Sequence, residues 1–144
     1  MVEVEALYRK ALGDLRALAP ALADAVEPMS PVFEAGGTVR FGTGTILVNR
    51  QWFAGLDDAE RASCLATIGF HQISDKITPL GERDPMIWNL ACSAVTNANL
   101  AAMGFRLPAG ALVEPTWRNR TVDEAYARLA DMGDILRRGQ AGTA

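Results

Sequence analysis

Thr67, His71 and Asp75 stand four residues apart in LATIGFHQISDK, a stretch that holds the chain's single histidine. On a helix, side chains four apart stack one turn above another, so a hydroxyl, an imidazole and a carboxylate share one face. Three kinds of chemistry use such groups. His71 with Asp75 is an H-x-x-x-D pair of metal-ligand type. A carboxylate that orients an imidazole prepares it to act as general acid or base. A hydroxyl beside that imidazole, such as that of Thr67, is then a candidate nucleophile. Cys64 precedes His71 by seven residues, about 10 Å along a helix axis, too far to share an ion with it at bonds of about 2 Å.

These residues need elements to hold them. The spacing of Leu7, Ala11, Leu15 and Leu18 predicts a first helix over 2–26, broken at Pro20 and ended by Pro28 and Pro31. Val39, Phe41, Ile46 and Val48 alternate around Gly42-Thr43-Gly44, which reads as a hairpin packed on helices. Asp57 with Glu60 forms a capping box opening a helix over 58–77, stopped by Pro79. Asp84 followed by Pro85 starts another, to about Met103 and Gly104. Thr121 with Glu124 opens a last helix to about Arg138. The class is α+β, mainly α: one domain over 1–138 and a flexible tail over 139–144.

At 144 residues the chain suits a single domain with a real core. A net charge of −3 with scattered Lys and Arg argues against nucleic acid as a partner. No apolar run reaches the roughly 18 residues of a membrane span, and MVEVEALYRK lacks the apolar core of a signal peptide. Cys64 and Cys92 read as buried free thiols, so a reduced, cytoplasmic protein is expected.

LATIGFHQISDKITPLGERDP followed by MIWNLACSAVTNANL resembles a family of zinc metallopeptidases whose members usually carry a von Willebrand A-like domain at the C-terminal end. Its members typically read L-A-H-E-x-L-H, a spacer, R-D-P, then W-N-x-A-x-D-x-x-x-N. The likeness covers roughly 46–129, with V-N-R-Q-W-F before the helix and L-P-x-G at 107–110. The gap-free register from Leu65 to Arg83-Asp84-Pro85 makes His71 the second zinc histidine. Thr67 then replaces the first histidine, Ile68 the general-base glutamate, and Ser93 the downstream aspartate ligand. The resemblance implies a zincin-like domain, expected to be either a freestanding reduced version or a fragment, since the usual second domain does not follow in this sequence. It also implies a cleft beside the helix in which extended peptide is held by a neighbouring strand.

A catalytic zinc takes three protein ligands and a water, with a carboxylate to accept the water's proton. One ligand of three remains here and Ile68 cannot move a proton, so loss of zinc and of peptidase activity is expected. Two readings follow. One is a degenerate, non-catalytic module that binds a protein or peptide partner, or another copy of itself, with the strand over 45–49 offering an edge. The other is a repurposed small enzyme in which Asp75 orients His71 toward Ser93, Thr67 or a small molecule. The hydroxyls are also expected to hydrogen-bond His71 if they merely fill the old site. Trp88 and Trp117 read as core aromatics, Trp52 and Phe53 as staples of the hairpin, and Asn97 and Asn99 as helix-contact residues.

Overall fold

The structure, a computed structural model, describes residues 3–37, 39–42, 44–108, 111 and 113–142, with side chains in the last helix described as far as Met132. It is a mainly helical α+β domain. The first helical stretch is split as expected into α1 (Val4–Leu18) and α2 (Pro20–Val26). Its buried stripe is Val4, Tyr8, Ala11 and Leu15. Leu18, assigned to that stripe from spacing, is 68% exposed, because the helix ends there and Pro20 turns the chain onto a new axis.

Three strands follow: β1 (Ser30–Glu34), β2 (Val39–Gly42) and β3 (Thr45–Asn49). β2 and β3 form the expected antiparallel hairpin, Phe41 opposite Ile46 and Val39 opposite Val48; Thr43 of its turn lies outside the described residues. β1 was not legible, since Pro28 and Pro31 read as breakers. Pro31 is accommodated because β1 is an edge strand, where a missing N–H need not break the ladder. β1 pairs in parallel with β3, and the sheet order is β1-β3-β2. The expectation that residues 45–49 offer a free edge is therefore overturned. β3 is paired on both sides, and the edges of the sheet are β1 and β2.

A short helix α3 (Arg50–Ala54) leads to α4 (Asp58–Ile77), whose capping box forms in both directions. Glu60 N–H donates to Asp57 Oδ1 at 2.8 Å and Asp57 N–H to Glu60 Oε1 at 3.1 Å. α5 (Pro85–Ala102) starts at Asp84, whose Oδ1 accepts from Met86 N–H at 2.9 Å and Ile87 N–H at 3.2 Å. α6 (Val122–Gly142) opens with Glu124 N–H on Thr121 Oγ1 at 3.1 Å. Its backbone stays helical four residues past the expected end; Thr143 and Ala144 of the expected tail lie outside the described residues.

α4 is the axle of the fold. Its first half packs on α1, α2 and the sheet around Leu15, Val26, Ile46, Phe53, Leu65 and Ile68. Gly69 allows the closest approach: a Cβ there would stand 2.6 Å from the Leu22 carbonyl oxygen of α2, so only a glycine fits. A second cluster joins α5 to α6 through Trp88, Ala91, Cys92, Val95, Val122 and Ala125. Phe70 of α4 touches both clusters. Between them, along the last two turns of α4, the packing opens.

Candidate functional site

The opening is a cleft of about 670 Å³ walled by Thr67, His71, Gln72 and Asp75 of α4, Asn89 and Ser93 of α5, and β2 with Gly44 after it. All four residues singled out from the sequence therefore line one cavity. Gln72 and the β2 wall were not foreseen. Asn89, which with Trp88 reads as a possible groove residue, lies one helical turn before Ser93. The strand wall had no sequence signal, because it depends on how the sheet docks on α4.

His71 sits 9% exposed with its ring 5.4 Å from that of Phe41 in a tilted, edge-type contact at 60°. Burial pushes its pKa below the ordinary 6.5, and the nearby Asp75 charge offsets this only in part. The ring is therefore neutral at pH 7. The expected hydrogen bonds to it do not form among the described residues. Thr67 Oγ1 donates instead to Ser63 O, one turn back on its own helix, at 3.0 Å, a common resolution for a helical threonine. Asp75 is exposed and reaches His71 through its field, without a hydrogen bond among the described residues. Ser93 and Asn89 are exposed on the facing wall, so the cleft is open to solvent.

Ile68 does not plug the cleft. It is 1% exposed, part of the main core, and also borders a smaller chamber of about 220 Å³ with Cys64, Asn97, Leu107, Pro108 and Ala111. Val39, Phe41 and Thr67 border both spaces, so the chamber is an apolar extension of the cleft. Burial raises the Cys64 thiol to about 12 and the Cys92 thiol to about 11, which keeps both protonated and unreactive. Ala109 and Gly110 of the L-P-x-G segment lie outside the described residues.

The residues of the R-D-P and W-N stretches, Arg83, Asp84 and Trp88 among them, build the frame of the site. Arg83 donates to Pro79 O at 3.0 Å and Leu80 O at 3.2 Å, pairs with Asp123 of α6 at 2.6 Å, and lies 4.7 Å from the Trp88 ring centre. Asp84 N–H donates to the hydroxyl oxygen of Tyr126 of α6 at 2.9 Å. Trp88 is core at 3% exposure, and Trp117 folds back onto the same cluster. Asn99 donates to Val95 O at 2.7 Å and accepts from Asn119 N–H at 3.2 Å, a helix-contact role.

The residues of the cleft do not fit a catalytic zinc. Thr67 is turned toward Ser63, Ser93 offers a neutral hydroxyl, and Ile68 offers no base. Among the described residues no group of three or more His, Cys, Asp and Glu converges on a point that could hold an ion. No described helix is long and apolar enough to cross a membrane. Comparison with family models, with curated proteins and with solved structures finds no match.

Proposed function

We propose that this chain is a zincin-like, non-catalytic binding module that holds an extended segment of a partner protein along β2. One observation carries the reading. β2, one of the two edge strands of the sheet, forms one wall of a cleft open to solvent, and the wall opposite presents His71, Asp75, Asn89 and Ser93. An edge strand exposes alternate N–H and C=O groups that an added strand can pair with. The facing polar side chains can then satisfy the ligand's own outward groups. With buried free thiols at Cys64 and Cys92, the cytoplasm is the compartment we assign.

The test is amide hydrogen exchange with and without peptides selected from a random displayed library. Bound peptide should slow exchange at residues 39–42 and emerge uncleaved. Binding that leaves those amides unchanged, or stoichiometric zinc held at His71, would overturn the reading.

A repurposed enzyme is the second reading, favoured by the neutral state of His71, the form that accepts a proton. It has less support because Asp75 does not hold the ring and Thr67 is turned away. Turnover that is lost in His71→Ala and independent of chelators would favour it.

A further inference from the structure

The cleft and its apolar extension together define what the bound segment must look like; the inference rests on the strand-addition reading above. The chamber of about 220 Å³ is lined mainly by Cys64, Ile68, Leu107 and Pro108. Apolar cavities of about 150 Å³ already accept a benzene ring, so this one has room for a leucine, methionine or phenylalanine side chain. At the other end of the cleft Asp75 is an exposed carboxylate with no ion pair among the described residues. The other charge on the cleft wall, Arg40, is already matched by Glu34 at 2.7 Å. The cleft thus has an apolar end and an acidic end.

Their separation sets a spacing. Thr67, at the mouth of the chamber, and Asp75 are eight residues apart on α4, which is about 12 Å along the helix. An extended chain advances about 13 Å in four residues, and positions four apart point to the same side. We propose that the module recognises an extended protein segment carrying a large apolar side chain and a lysine or arginine four positions apart, the apolar one filling the chamber and the basic one meeting Asp75.

The experiment pans a displayed library of random peptides against the full chain and maps each selected peptide by amide exchange at residues 39–42. The expected result is a set of sequences enriched in the apolar and basic pair at that spacing. Replacing the apolar residue by alanine should weaken binding about tenfold or more, the scale of burying one such side chain. Replacing the basic residue should cost about two- to fivefold, the scale of an exposed ion pair, and this part should vanish at high salt. Asp75→Asn should erase the basic preference alone. Ala111→Trp, at an exposed position bordering the chamber, should erase the apolar preference alone. Peptides that protect β2 but lack the pair, or carry it at another spacing, overturn this inference and leave strand addition standing. Selected peptides that never protect β2 overturn both.

Discussion

The two halves of α4 are built to different ends. From Arg61 to Ala66 every residue is buried, with Arg61 hydrogen-bonded and the Ser63 hydroxyl without a partner among the described residues. Arg61 is 7% exposed: it donates to Phe53 O at 3.2 Å, to Leu56 O, and to Asp58 at 2.8 Å, tying the end of α3 to the start of α4. From His71 to Lys76 the same helix carries a neutral imidazole and a carboxylate with no side-chain partner on the described surface. A helix whose first half is packed on all sides can hold its second half rigid without covering it. Groups are pre-positioned there at no ordering cost to a ligand. The polar residues of the first half are structural, and those of the second half are available.

That contrast can be broken most severely at Ile68, where the family resemblance places a glutamate. Ile68→Glu puts a carboxyl among Leu65, Leu15 and their neighbours, and a loss of at least about 4 kcal/mol in denaturant unfolding is expected. Gly69→Ala should cost about 1–3 kcal/mol, as the added methyl pushes α2 away from α4. Arg61→Leu takes the guanidinium from Leu56 O and from Asp58, while Phe53 O keeps the Leu56 N–H at 3.2 Å, and about 1–2 kcal/mol should be lost. In the open half, His71→Gln should change stability by less than about 1 kcal/mol while weakening peptide binding; a large loss of stability would make His71 a core residue and dissolve the contrast.

The smallest effect concerns pH. His71 has a folded-state pKa below its unfolded value of 6.5, so the unfolded chain binds the proton more readily and stability rises with pH across that interval. The contribution should be complete above about pH 6.5 and fall as the pH drops toward the folded-state value. Urea midpoints measured between pH 5 and 7 on the protein and on His71→Gln should diverge only on the acid side. Equal acid sensitivity in the two would show that the imidazole is not desolvated.

The starts of α4, α5 and α6 and the break at Pro20 were legible, whereas α3 and the far end of α6 were not. Asp57, Asp84 and Thr121 carry their hydrogen-bonding instructions within three residues, and Pro20, Pro79 and Gly104 end helices by local backbone geometry. The hairpin register followed from alternation for the same reason. The shared face of Thr67, His71 and Asp75 was likewise local, being a property of helix pitch. Its partner Ser93 came from the family pattern, which stands in for a contact between helices.

The rest required the folded chain. β1 is a strand because β3 is there to pair with it, and that pairing puts β3 in the interior of the sheet with β1 and β2 at its edges. Whether Thr67 would turn toward His71 or toward Ser63 depends on competition between a neighbouring carbonyl and a ring across the cleft. His71 loses its charge because Phe41 and the sheet come down over it. Sequence determined which groups lie along α4, since that is set by short-range geometry. Tertiary structure decided which of them are buried, which are satisfied and which face an open strand, because burial and solvation belong to the assembled packing.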